Sequence, residues 1–183
     1  MLSSAVMEKR KCAGPPVSLQ TTQAAEVVLL GVGNILLTDE GVGVRAIEEI
    51  ERRYVLPESV RVMDGGTSGM ELLDTLAGTQ YLIIVDAVKS GTAPGTIVRL
   101  AGDDVPVFFS TKLSPHQVGL CDVLATLAVM DESPGETVII GVEPSSLDLA
   151  MELSPAVGAV MPTLVETVLA ELKRIGVEAV PRN

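Results

Sequence analysis

One histidine occurs in the 183-residue chain, His116, and any step that needs an imidazole from this protein must use it. Carboxylates stand where short apolar runs end: Asp39 and Glu40 beyond Val27–Val32, Asp64 after Val60–Met63, and Asp86 after Leu82–Val85. Glu40, Asp86 and His116 are hard or borderline oxygen and nitrogen donors. Two carboxylates and one imidazole suit a divalent first-row ion such as nickel, manganese, iron or zinc. His116 follows Ser114-Pro115 at a predicted helix start, where the helix dipole disfavours imidazolium. The neutral ring is the form that binds metal. Each residue also has a plainer use. Glu40 can serve as a first-turn charge, Asp86 as a turn cap, Asp64 before Gly65-Gly66 as a turn former, and His116 as a surface or capping residue. The sharper reading rests on all four reaching one rim.

The elements place them there. Val27–Val32 is a continuous apolar run, as expected of a strand buried on both faces. A loop through Gly33–Glu40 leads to a helix over Gly43–Tyr54, with Val44, Ile47 and Ile50 on its apolar stripe and Leu56-Pro57 as its stop. A second strand, Val60–Met63, precedes a helix over Met70–Ala77, for which Thr67-Ser68 are the expected cap. Leu82–Val85 is a third strand and Thr96–Leu100 a fourth, whereas Val105–Leu113 reads as irregular. A helix over Gln117–Met130, a strand over Val138–Val142 and a helix over Pro155–Ile175 closed by Gly176 complete the chain. Strands alternating with helices predict an α/β sandwich around a mostly parallel sheet. The link before Thr96–Leu100 is too short for a parallel crossover, so that strand is expected to run antiparallel. Ligands of such folds bind beyond the carboxyl ends of the parallel strands, where the acids and His116 meet.

Composition narrows the classes. Residues 1–25 show no periodicity and read as a disordered tail, leaving a single domain over 26–183. Apolar residues make up 47% of the chain and aromatics 2%, so the core is aliphatic. Mean hydropathy is +0.42, but no apolar run approaches the ~18–20 residues that span a bilayer. Membrane insertion is therefore not expected. A net charge of −11 with no offsetting basic run argues against nucleic acid as a partner. Cys12 and Cys121 form no C-x-x-C and fit the reducing cytoplasm. The charged Glu8–Lys11 interrupts any secretory leader.

Two glycine patterns suggest, and then fail, a dinucleotide fingerprint. Gly31-Val32-Gly33-Asn34-Ile35-Leu36 leaves a strand but ends in leucine. Gly41-Val42-Gly43-Val44-Arg45-Ala46 opens a helix without following a strand directly. Asp39 and Glu40 would also repel a pyrophosphate at that turn. No G-x-S-x-G occurs, which disfavours a serine hydrolase.

The segment Leu30-Gly31-Val32-Gly33-Asn34-Ile35-Leu36-Leu37-Thr38-Asp39-Glu40-Gly41-Val42-Gly43 resembles the opening motif of the nickel–iron hydrogenase maturation endopeptidases. Asp64-Gly65-Gly66-Thr67-Ser68-Gly69-Met70, Ile83-Ile84-Val85-Asp86-Ala87, Ser114-Pro115-His116-Gln117 and Gly141-Val142-Glu143-Pro144 resemble further blocks of that family, in order. The resemblance spans about Glu26 to Val180. It implies a three-layer α/β/α sandwich around a twisted, mixed, mostly parallel five-stranded sheet. It implies an enzyme that removes a C-terminal extension from the hydrogenase large-subunit precursor after nickel insertion, with the nickel borne by the substrate as the recognition signal and no organic cofactor. The metal-contacting positions it implies are Glu40, where many relatives carry aspartate, Asp86 and His116. Asp39 and Asp64 are then candidates to activate water, as in an aspartyl protease, or to orient the ligands. A nickel-binding chaperone without protease activity and a metal-dependent hydrolase of a small substrate are the alternatives.

Overall fold

The computed structural model describes residues 27–109 and 115–182, apart from the side chains of Phe108, Pro115 and His116. The tail expected over residues 1–25 lies outside the described residues.

Four parallel strands and one antiparallel strand make the main sheet. β1 (Val27–Val32) lies between β3 (Val60–Gly66) and β4 (Tyr81–Ala87), and β6 (Glu136–Val142) joins β4 to the edge strand β5 (Ile97–Ala101), giving the order β3-β1-β4-β6-β5. β5 runs antiparallel to β6, with Arg99 opposite Ile140, as its short connection requires. A two-stranded ribbon of β2 (Tyr54–Val55) and β7 (Val180–Pro181) stands apart. Tyr54 therefore belongs to a strand and not to the preceding helix.

Helices cover both faces. α1 (Val42–Arg53) and α5 (Pro155–Arg174) pack Ile47, Ile50, Leu164 and Val168 against Leu29, Ile83 and Ile140. On the other face, α2 (Leu73–Leu76), α3 (Asp104–Phe109) and α4 (Pro115–Val129) contribute Leu76, Val105, Leu120 and Leu127 against Leu30, Ile84 and Ile139. Alternate residues of each central strand thus enter different cores, which is why those strands read as unbroken apolar runs.

Two expectations are corrected. Val105–Leu113 is not wholly irregular, because Asp104–Phe109 forms α3, while 110–113 lie outside the described residues. Thr67 and Ser68 do not cap a helix. The segment after them is a 3-10 turn, Met70–Leu72, followed by the short α2, and the Gly69 N–H is taken by the Glu71 carboxylate at 3.1 Å. α5 is long and apolar enough, by length and hydropathy, to cross a membrane. It nevertheless buries Val157, Leu164, Val165, Val168 and Leu172 in the core, which marks it as a core helix. The Ser154 hydroxyl caps it, accepting the Val157 N–H at 3.3 Å, and Gly176 ends the helix at φ +84°, as the sequence suggests.

Candidate functional site

The register brings three strand ends to one level. Gly31 of β1 lies opposite Asp64 of β3 on one side and Val85 of β4 on the other. Asp86 is one residue beyond Val85, and opposes Gly141 of β6. Two strand spacings separate the β3 and β4 backbones, about 10 Å.

The glycines close the gap between β1 and α1. Gly33 has φ +121°, and a Cβ there would stand 1.7 Å from the Glu40 carbonyl oxygen. A Cβ on Gly43 would stand 2.0 Å from the Val85 carbonyl oxygen and 2.5 Å from that of Val32. α1 therefore begins hard against the ends of β1 and β4, and the 3-10 turn Thr38–Gly41 delivers a buried Glu40 to the end of β4 that carries Asp86. The glycines do the work of backbone packing here, not of cradling a phosphate.

Asp86 is buried and held from two sides. Its Oδ1 accepts the Ala87 N–H at 2.7 Å and its Oδ2 accepts the Gln117 side-chain amide at 2.5 Å. The same Gln117 nitrogen donates to the Ala87 carbonyl at 3.2 Å. Gln117 is itself buried, in the first turn of α4 directly after His116. It ties the helix start that bears His116 to the carboxylate on β4. The side chain of His116 lies outside the described residues. Among those described, no three His, Cys, Asp or Glu side chains group so as to hold a metal ion. The expected site therefore needs His116, or donors brought by a substrate, beside Glu40 and Asp86.

Asp39 has a different surrounding. It is fully buried, its Oδ1 accepts the Ser154 N–H at 2.7 Å, and its Oδ2 accepts the N–H groups of Ser145 and Ser146 at 2.8 and 3.0 Å. Both oxygens are spent on the backbone of the β6–α5 loop. Asp39 thus fastens that loop beside the acid-bearing rim. Asp64 is exposed on the edge strand, and its Oδ1 accepts the Gly66 N–H at 2.8 Å. It retains an oxygen facing solvent, as a general base requires.

Glu143, just past β6, completes the row. Its buried carboxylate accepts the Ser90 N–H at 2.7 Å, the Ser90 hydroxyl at 2.8 Å and the Thr92 N–H at 3.2 Å. Burial pushes its pKa up, but the hydrogen bonds from Ser90 and Thr92 outweigh that and hold it below the usual carboxylate value. It fixes the loop after β4. Sequence reasoning passed over Gln117 and Glu143 as site residues. Gln117 had one signal, its place beside His116 at a helix start. Glu143 had its place at a strand end.

An apolar cavity of about 700 Å³ opens elsewhere, between α3, α4 and the start of β6, lined by Val105, Phe109, Cys121 and Leu124 among others. Glu136, the one carboxylate among its described lining residues, is already paired with Arg174. The acid-bearing rim, not this cavity, is the candidate site.

The chain is similar to known proteins. The family model described as hydrogenase maturation protease matches residues 44–171. The hydrogenase 2 maturation protease of Escherichia coli K12 is 50% identical over 158 residues, covering 86% of this chain and 96% of the relative. The hydrogenase expression/formation protein HupD of Rhodobacter capsulatus is 42% identical, covering 83% of this chain and 73% of the relative. Among solved structures, the hydrogenase maturating endopeptidase HybD from E. coli superposes with a TM-score of 0.83 at 49% identity, over 86% of this chain and 98% of that one. The [NiFe] hydrogenase maturation protease HybD of Thermococcus kodakarensis superposes with a TM-score of 0.65 at 28% identity, over 78% of this chain and 96% of that one.

Proposed function

Because the chain belongs to the hydrogenase maturation protease family, we propose that it cleaves the C-terminal extension from a nickel–iron hydrogenase large-subunit precursor in the cytoplasm, and that it reads the precursor's nickel through Glu40, Asp86 and His116. The observation that carries this reading is the tie between Asp86 and Gln117. It sets a buried carboxylate against the helix turn that bears the only histidine, next to the turn that bears Glu40.

The chemistry follows from that placement. The nickel arrives with the substrate, and the enzyme carries no organic cofactor. Glu40 and Asp86 offer anionic oxygens and His116 a nitrogen, a set that fits a first-row divalent ion. Docking on these ligands holds the scissile bond near the rim, and orientation of that kind lowers the barrier without covalent help. Asp64, exposed at the same level of the sheet, is the group placed to take a proton from the attacking water. Asp39 holds the framework.

The test is intact-mass analysis of nickel-loaded and nickel-free precursor after incubation with the protein. Loss of a C-terminal peptide from the loaded form alone is the expected result. Equal cleavage of both forms would overturn the reading of nickel while keeping the protease. Binding of the loaded precursor without cleavage would favour the chaperone alternative.

A further inference from the structure

Next to the carboxylates stands an apolar edge for which the reaction described so far has no use. The loop leaving β1 and the loop leaving β6 meet in a parallel bridge between Leu37 and Ala150. The Ala150 N–H donates to the Leu36 carbonyl at 3.0 Å, and the Thr38 N–H donates to the Ala150 carbonyl at 2.8 Å. The Thr38 hydroxyl donates to the Asp148 carbonyl at 2.5 Å. Residues either side of a bridged pair face away from it, so Leu36 and Leu149 are flanking neighbours on one side of this seam. Both are exposed, Leu36 at 49% and Leu149 at 82%, and Met151 adds 58% beyond them.

A single exposed leucine on a slack loop is ordinary. Here the backbone is not slack. Asp39, with no solvent contact, fastens Ser145, Ser146 and Ser154 on either side of Leu149. The chain spends a buried charge and three hydrogen bonds to hold an apolar side chain out in water. Contiguous exposed apolar surface held in this way marks a binding face. Its position selects the occupant. The loop bearing Leu36 folds back on the turn that bears Glu40, since a Cβ on Gly41 would stand 2.8 Å from the Ile35 Cα, so a partner that docks at Glu40 lies beside this ledge.

We propose that Leu36 and Leu149, with Met151, form a docking ledge for apolar side chains of the nickel-bearing precursor beside its cleaved segment. The proposal rests on the protease reading above. In it Asp39 is a positioning residue: it builds the ledge on which the substrate is aligned, and it touches neither nickel nor scissile bond.

The double variant L36S/L149S tests it, measured with nickel-loaded precursor for binding by calorimetry and for cleavage by intact mass. Val129→Ser is the control, because Val129 is 90% exposed at the other end of α4 from His116. The expected result is a KM raised at least ~10-fold and binding weakened to match, since two leucines lose their burial against the partner. The value of kcat and the melting temperature stay at those of the parent, and V129S matches the parent throughout. Unchanged KM and binding in L36S/L149S would overturn the ledge and leave the protease reading intact. A parent protein that neither binds nor cleaves the loaded precursor would bring down both. A parent that elutes as a dimer and a double variant that elutes as a monomer would assign the ledge to a second copy of this chain, and so overturn the proposal.

Discussion

Buried carboxylates sit at opposite ends of the sheet and are stabilised in opposite ways. At the carboxyl ends of the parallel strands, Asp39 and Glu143 are held by N–H and O–H donors that carry no charge. At the other end, Glu171 of α5 is gripped by two guanidinium groups. Arg99 of β5 donates to both its oxygens at 2.8 and 2.9 Å, and Arg174 adds a bond at 2.8 Å while also pairing with Glu136. Neutral donors fix a carboxylate without cancelling it, whereas arginines fix it and cancel it. The first arrangement leaves the charge of Asp39 and Glu143 without a cation among the hydrogen-bond donors that hold them. The second serves only the fold.

The contrast is broken most severely by changing the residues that should meet the arriving ion. Asp86→Asn keeps the size and the acceptor oxygen but removes the charge, and Glu40→Gln does the same on the neighbouring turn. Each is expected to lower cleavage of nickel-loaded precursor by ~100-fold or more, since even the partners that orient metal ligands are worth 10–100-fold. Both variants should still fold, but Asp86→Asn should lose some stability because its NH2 group must face a donor from Ala87 or Gln117. A loss confined to stability, with cleavage by the folded fraction preserved, would place Asp86 with Glu171 as a structural acid.

Much of this division was legible in the sequence, and the illegible part has a physical reason. Strands sandwiched between two helical layers must be apolar throughout, so Val27–Val32 and Leu82–Val85 announce themselves, and the strand ends then locate Asp64 and Asp86. Thr67-Ser68 had the composition of a cap, but Glu71 two residues past Gly69 takes the free N–H instead. β2 and β7 are two residues each, too short for any alternation to show. The partners that hold Asp39, Ser145 and Ser154, lie 106 and 115 residues away, so no local pattern shows them. Gln117 was passed over because an amide does not titrate, and its importance lies in a contact 31 residues back in the chain.

Asp39→Asn sharpens the comparison at intermediate cost. Asparagine keeps one acceptor but puts an NH2 group where backbone N–H groups point, so at least one of the three bonds becomes a clash of donors. Hydrogen bonds to a charged group are worth about 1.5–3 kcal/mol each, and the variant is expected to unfold more easily by roughly 2–4 kcal/mol. Cleavage should fall about 10-fold through KM, because the loop bearing Leu149 loses its anchor. The melting curve and the KM for loaded precursor together check this. A fall in kcat at unchanged KM would return Asp39 to the chemistry.

Glu171→Gln has the smallest expected effect on cleavage, and it tests the other half of the contrast. The hydrogen bond from Arg99 lowers the Glu171 pKa most, burial opposes it, and the bond from Arg174 lowers it further. A carboxyl whose folded pKa lies below its unfolded one stabilises the protein above the unfolded value, near 4.3 for glutamate. That contribution is lost as pH falls towards the folded value. Arg99 and Arg174 are partly exposed, so water already screens the pair and the loss in the variant should be modest, about 1–3 kcal/mol at neutral pH. The gap in melting temperature between parent and E171Q should then narrow as pH drops below about 4.3, and cleavage by the folded variant should equal that of the parent. A gap independent of pH would mean that glutamine fails by shape rather than by charge. The arginine-held end of the molecule would then owe its stability to packing, and the contrast would have to be drawn from Asp39 and Glu143 alone.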